Sequence, residues 1–267
     1  MSQISFGDSN KINDNWKFNL QDIADAKNIS FDDSKWKQVN VPHDWSVKGQ
    51  LSPTLASCTG FLPGGIAWYR KSIAVPQTKS GEKVYLYFEG VYNRSEVFIN
   101  GHSLGKRPNG YISFAYDATE FIKFGGENII SVRVDHSQSA DSRWYSGSGI
   151  YRNVWLVYAN PVHIAQWGVY AYPQVTNGNG ILNVEVDIEN SSKGKANLTV
   201  VNELFSKDGK LAGKSSSKVD VALNANGKIS TKISVKNPQL WDLDNPNLYE
   251  LRTTDCRNGK KIDKTVT

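Results

Sequence analysis

Aromatic, basic and glycine residues bunch together at three places in this chain of 267 residues. Ser142-Arg-Trp-Tyr-Ser-Gly-Ser-Gly-Ile-Tyr-Arg-Asn-Val-Trp155 is the densest, and Pro42-His-Asp-Trp45 and Gly60-Phe-Leu-Pro-Gly-Gly-Ile-Ala-Trp-Tyr-Arg70 repeat the theme. Rings set beside Arg, Asp and Asn suit a sugar: the apolar face of a pyranose stacks on a ring, and planar charged groups take its hydroxyls in paired hydrogen bonds. The competing reading of the same residues is packing in a core or a domain interface. Other chemistries find no footing. His43, His102, His136 and His163 lie far apart and none has the i, i+4 spacing of a helical zinc pair. There is no phosphate-cradling Gly loop followed by Lys and Ser/Thr, no dinucleotide fingerprint and no Gly-x-Ser-x-Gly elbow. Asp32-Asp33 are adjacent, so in extended chain they point apart, whereas paired catalytic carboxylates face each other at about 5–10 Å. That pair reads as a solvated turn entering a strand.

The elements that must hold these residues have ample apolar material. Hydrophobic residues make up 39% of the chain and charged ones 21%, with 8 Trp, 12 Tyr and 10 Phe, which excludes a disordered chain and predicts soluble, packed domains. The length favours two of them. The net charge is +5, but the lysines are spread singly among polar neighbours, a pattern that serves solubility and not nucleic-acid binding. Cys58 and Cys256 fit neither a disulfide scaffold nor a metal knuckle and read as two free, mostly buried thiols. Apolar runs are too short to span a membrane, and the polar start at Met1 lacks the regions of a signal peptide. The expectation is a chain with no membrane segment and no export signal of its own. Removal of a leader leaves the compartment open and is compatible with a periplasmic or secreted parent. No cofactor is required by the sequence, and a structural cation stays open.

Period-two alternation predicts an all-β fold. Lys83–Phe88, Ser95–Ile99, Asn128–Asp135 and Asn153–Tyr158 are short β-branched and aromatic runs, separated by turn residues at Phe98-Ile-Asn-Gly101, Pro108–Gly110 and Gly125-Gly126. No clean 3.6-residue apolar period appears, so very little helix is expected, such as one turn near Ala118–Ile122. After residue 160 the pattern becomes plainer. Ile181–Ile188, Ala196–Val201, Lys218–Leu223 and Lys228–Val235 are divided by polar turns at Thr176–Gly180, Ser206–Gly209 and Asn224–Gly227. Strands at roughly 8–12-residue spacing predict a small immunoglobulin-like sandwich. The boundary falls at Ala159-Asn-Pro161, giving domains over 1–160 and 161–267 without a flexible linker.

The chain resembles the N-terminal part of glycoside hydrolase family 2, the family of β-galactosidases and β-glucuronidases. The matching segments occur in family order and include Val41-Pro-His-Asp-Trp45, Gly65-Ile-Ala-Trp-Tyr-Arg70, Tyr87-Phe-Glu-Gly-Val-Tyr92, Val97-Phe-Ile-Asn-Gly101, Asn109-Gly-Tyr-Ile-Ser-Phe114 and Ser142–Arg152. Asn237-Pro-Gln-Leu-Trp-Asp-Leu-Asp-Asn-Pro-Asn-Leu-Tyr249 looks like the closing strand of the family's immunoglobulin-like domain. The resemblance implies a jelly-roll, galactose-binding-like domain followed by that sandwich. In the family a (β/α)8 barrel comes next and carries both catalytic glutamates. This chain stops at Thr267, so the resemblance implies a non-catalytic N-terminal fragment with no catalytic residue of its own and a missing C-terminal barrel as its partner.

In such enzymes the jelly roll leans a loop into the barrel mouth and touches the terminal sugar. The resemblance places that loop before Gly147-Ser-Gly-Ile-Tyr-Arg152. Best-known members carry an Asp six residues before the Gly of the Gly-Ile pair, and here that position is Arg143. Its fork of donors suits sugar hydroxyls or a carboxylate, with a structural ion pair as the alternative. Asp44 is the second candidate for substrate contact, with the alternative of a loop-organising acceptor for backbone N–H groups. Trp45, Trp68, Tyr69, Trp144, Tyr145 and Tyr151 read as packing, and Arg152 as a buried ion-pair anchor. No metal ligand is assigned. The expected function is the carbohydrate-binding portion of a retaining exo-β-glycosidase, first a β-galactosidase, with β-glucuronidase and β-mannosidase sharing the architecture. A stand-alone carbohydrate-binding module is the alternative from another class.

Overall fold

The computed structural model describes residues 4–57, 60–138 and 145–267, and strands dominate them. Helical segments among them include 3₁₀ turns at Ala24–Lys27, Gln77–Lys79 and Thr119–Phe121, the last where one turn is expected, and no α-helix. No helix of the described residues is long and apolar enough to cross a membrane. The chain divides into two compact units, Ser9–Tyr158 and Ala159–Thr267 together with Met1–Asp8. The sequence boundary assigns the first residues to the first domain. In the structure the Gly7 N–H instead donates to the Asp263 carboxylate at 3.2 Å and the Phe6 ring stacks on His163 at 5.4 Å. Nothing in the polar start signalled those two long-range contacts.

The strands of the first unit are β1 (Asp8–Lys11), β2 (Trp16–Asn19), β3 (Lys37–Val39), β4 (Gly65–Val75), β5 (Lys83–Phe88), β6 (Ser95–Ile99), β7 (His102–Arg107), β8 (Phe114–Asp117), β9 (Gly126–His136) and β10 (Val154–Ala159). They form a six-stranded sheet, β3-β2-β4-β9-β6-β7, and a four-stranded sheet, β1-β10-β5-β8, the two layers of a jelly roll. Alternate side chains of β4 go to opposite faces. Ala67, Tyr69, Ile73 and Val75 enter the core between the sheets, while Trp68 packs with Ala26, Trp36 and Phe98 on the other face. The segment between β2 and β3 covers that second face and has no ladder for its carbonyls. Arg70, two residues from Trp68 and 1% exposed, supplies donors to the Ala26 carbonyl, the Asn28 carbonyl at 3.0 Å and the Ser131 hydroxyl at 3.1 Å, and pairs with Asp33 at 2.8 Å.

The second unit contains β11 (Val162–Thr176), β12 (Asn179–Asn190), β13 (Ala196–Phe205), β14 (Leu211–Val221), β15 (Ala225–Lys236), β16 (Glu250–Arg257) and β17 (Lys260–Val266). A sheet β11-β12-β15 and a sheet β14-β13-β16-β17 make an immunoglobulin-like sandwich around Val184, Val186, Ile188, Leu198, Val200, Ile233 and Leu251. Turn chemistry sets the hairpins. Asn100-Gly101, Asn177-Gly178 and Asn258-Gly259 each have positive φ at both residues, from 49° to 84°, as a two-residue turn matching the strand twist demands. The turn expected over Asn224–Gly227 lies earlier. Asn224 takes φ 51°, and Ala225–Gly227 already pair with Asn190–Ile188 in β15. Gly227 is needed there because a Cβ would sit 2.5 Å from the Val221 side chain.

Polar residues also enter this core. Asp255 on β16 faces Asp263 on β17, and both are buried. Asp263 accepts N–H bonds from Ile164 and Lys264 at 2.9 and 2.8 Å besides that from Gly7, whereas neither oxygen of Asp255 has a partner.

Candidate functional site

The loop expected to approach a ligand is held by backbone bonds before any side chain acts. The segment after β3 departs from the sheet at Pro42, which has no N–H to give a ladder. Its next residues grip the loop before β10: the His43 N–H donates to the Ile150 carbonyl at 2.7 Å and the Trp45 N–H to Ser148 at 3.2 Å. On the opposite side Tyr92 and Gly149 exchange both bonds, at 2.9 and 2.8 Å. Gly149 has φ 115°, and a Cβ there would lie 2.3 Å from the Tyr69 hydroxyl and 2.8 Å from the His43 carbonyl, so only glycine fits.

Asp44 sits between these segments and organises them. One carboxylate oxygen accepts the Ser46 and Ser148 N–H groups at 2.9 and 3.0 Å, and the other accepts the Tyr145 hydroxyl. Two charge-assisted bonds to backbone fix the loop's path, each worth roughly 1.5–3 kcal/mol. Burial, with the Asp44 charge beside it, pushes the Tyr145 phenol well above its ordinary value, so Tyr145 remains a donor. Its ring is 43% exposed, unlike Trp45, Trp68 and Tyr69, which are buried as packing predicts.

Behind the loop runs a buried chain of hydroxyls. Ser46 donates to the Pro63 carbonyl at 2.5 Å, which leaves its oxygen to accept the Ser148 hydroxyl, and the Ser148 oxygen then accepts from His136 Nδ1 at 2.6 Å. That order assigns the Nδ1–H tautomer to His136. His43 meets the Tyr69 hydroxyl at 2.8 Å, and burial followed by the charges of Lys48 and Lys37 lowers its pKa to about 4, so it is neutral at physiological pH. Ser148, His136 and Asp44 are a Ser, a His and an Asp, yet they are not a nucleophilic relay. Ser148 is fully buried, and Asp44 holds its backbone N–H and not the imidazole. A shallow depression lined by Ser46, Leu62, His136, Tyr145, Ser146 and Gly147 opens beside the loop. At about 10 Å³ it has room for about one water, so it is at most an edge of a larger site.

Of the two site residues expected from sequence, Asp44 lies at the centre of this assembly, and Arg143 lies outside the described residues, as do Trp144 and Cys58. Cys256 is a free, half-buried thiol. Among the described residues Arg152 makes no ion pair; the buried ion-pair anchor is Arg70, and its partner is Asp33, which is therefore not simply a solvated turn residue. Glu89, unremarked in the sequence, is 8% exposed and takes the Trp155 indole N–H at 2.9 Å and the Asn153 amide at 2.8 Å. His136 and Ser148 were also missed, because residues brought together across sheets leave no spacing signal. Among the described residues no three His, Cys, Asp or Glu side chains converge as a metal would need.

Comparison with known proteins places this geometry. Residues 9–161 match the family model "Glycosyl hydrolases family 2, sugar binding domain", and residues 162–267 match "Glycosyl hydrolases family 2". A β-galactosidase of Bacteroides ovatus is 40% identical over the whole chain, which covers 32% of that protein. A putative β-glucuronidase of Formosa agariphila is 39% identical over 96% of the chain, which covers 24% of that protein. Among solved structures, a β-glycosidase from Bacteroides vulgatus matches 98% of the chain with a TM-score of 0.88 and 39% identity, over 33% of its own length. The chain thus spans about a quarter to a third of the length of these relatives.

Proposed function

The chain belongs to glycosyl hydrolase family 2, and we propose that it is the sugar-binding, non-catalytic portion of a retaining exo-β-glycosidase, a β-galactosidase in the first place. What carries the proposal is the pairing of family matches over both units with relatives about three to four times as long. In such a protein the remaining polypeptide supplies the carboxylates that protonate the leaving oxygen and attack the anomeric carbon. This chain supplies a wall of the pocket for the terminal sugar. Asp44 acts there by fixing the Tyr145–Ser148 loop and presenting the oxygen it shares with Tyr145, and Arg143 contributes donors to the sugar's hydroxyls. Free galactose then meets only part of its site. Titration calorimetry of the chain alone is expected to give binding weaker than millimolar. A sub-millimolar constant would favour a stand-alone carbohydrate-binding module instead.

Arg143→Ala in the full-length enzyme tests the residue assignment. Losing one charge-assisted hydrogen bond to substrate, roughly 1.5–3 kcal/mol, lowers kcat/KM about ten- to a hundred-and-fifty-fold. A residue that serves the substrate contributes little to folding, so the melting temperature is expected to stay within a degree or two. A destabilised variant with unchanged kcat/KM removes Arg143 from the site.

A further inference from the structure

The outer face of the sheet β11-β12-β15 carries aromatic rings that its own fold does not use. Tyr170 and Tyr172 alternate with core residues on β11 and so share the solvent side. Their rings stand 5.4 Å apart with planes inclined by 34°, and Tyr170 is 61% exposed. Neither ring is among the buried residues of the sandwich core. The register puts polar groups directly beside them: Tyr170 is opposite Glu185 and then Ser230, and Tyr172 is opposite Asn183 and then Lys232. Glu185 pairs with Lys228 at 2.9 Å on the exposed face. Asn183 is only 8% exposed although it lies on the outer face, a recessed amide beside the rings. Lys232 is exposed and has no carboxylate within ion-pair distance among the described residues.

Two neighbouring rings, a recessed amide, a paired carboxylate and an unpaired cation make a recognition surface for a ligand with apolar faces, hydroxyls and negative charge. We propose that this face is a second glycan-binding surface, separate from the Asp44 loop, and that its ligand is an oligosaccharide bearing uronate carboxylates. Consecutive pyranose faces stack on Tyr170 and Tyr172, hydroxyls meet Asn183 and Glu185, and a carboxylate meets Lys232. The charge decides the class. A neutral glycan uses the rings but leaves Lys232 idle. The inference does not depend on which glycosidic bond the longer relatives cleave.

Titration calorimetry of the whole chain with trigalacturonate and with galactotriose separates the outcomes, since the two probes differ in their carboxylates. Trigalacturonate is expected to bind, and galactotriose to bind at least several-fold more weakly. Tyr170→Ala, at a position outside the core, is expected to weaken trigalacturonate binding about tenfold, the scale of one lost ring contact, and the double variant with Tyr172→Ala to abolish it. Lys232→Gln is expected to weaken trigalacturonate alone and to bring its affinity level with that of galactotriose. An unchanged melting temperature certifies each variant, and Tyr170→Ala and Lys232→Gln suffice if the double variant does not fold. Absence of trigalacturonate binding, equal or tighter binding of galactotriose, or full binding by Tyr170→Ala would each overturn the proposal.

Discussion

Asp255→Asn is expected to change the pH dependence of stability more than any other single substitution among the described residues. The parent carboxyl lies on an inward-facing position of β16, fully buried, with both oxygens unpartnered and with Asp263 opposite. Burial, and then the charge of Asp263, pushes its pKa from 3.8 up to about 7. Asp263, by contrast, accepts three backbone N–H bonds. A raised carboxyl pKa means the folded state keeps a proton that the unfolded chain gives up above pH 4. Stability is therefore full below about pH 4, declines as pH rises to about 7, and is flat beyond it. At 1.36 kcal/mol per unit the decline is on the order of 4 kcal/mol. The amide cannot ionise, so its advantage over the parent grows by that amount between pH 4 and pH 8. Urea unfolding of both proteins at pH 4, 6 and 8 measures it. A difference independent of pH would show that Asp255 is not the group that holds the proton.

Arg70→Ala is expected to cost about 3–5 kcal/mol, enough to unfold much of the first unit at moderate temperature. The guanidinium is 1% exposed and serves Asp33, three loop carbonyls and Ser131 at once, so truncation strands several buried acceptors. Lysine does not rescue it, because one ammonium cannot reproduce the planar fork. Asp33→Asn costs less, since the Asp33 side chain is 28% exposed and its lost charge is screened. Thermal unfolding followed by limited proteolysis checks the mechanism. Cleavage should appear first between β2 and β3, the segment whose carbonyls Arg70 holds. A loss below 1 kcal/mol with no new cleavage contradicts it.

The strands were legible because their signal is local. Lys83–Phe88 and Ser95–Ile99 are observed with the bounds that alternation gives them, and Asn100-Gly101 turns where its backbone freedom predicts. The pairings that build the site were not local. Asp44 was visible as an acceptor after a Pro-His pair, but its partners Ser148 and Tyr145 lie 104 and 101 residues away. The same distance hid Arg70 with Asp33 and set Arg152 in its place: both arginines follow a tyrosine, and only the fold decides which of them faces a segment with carbonyls to satisfy. Nothing in the sequence around Asp255 sets it apart. Its consequence arises from the parity that turns it inward beside Asp263.

The most direct test of the central claim is hydrolysis of an aryl β-galactoside and an aryl β-glucuronide by the purified chain of 267 residues. On the proposed reading, in which the acid and nucleophile carboxylates belong to the rest of the longer protein, both substrates are expected to stay at the uncatalysed rate, whatever the protein concentration. Turnover that persists through repeated purification and scales with the amount of this chain would contradict the account.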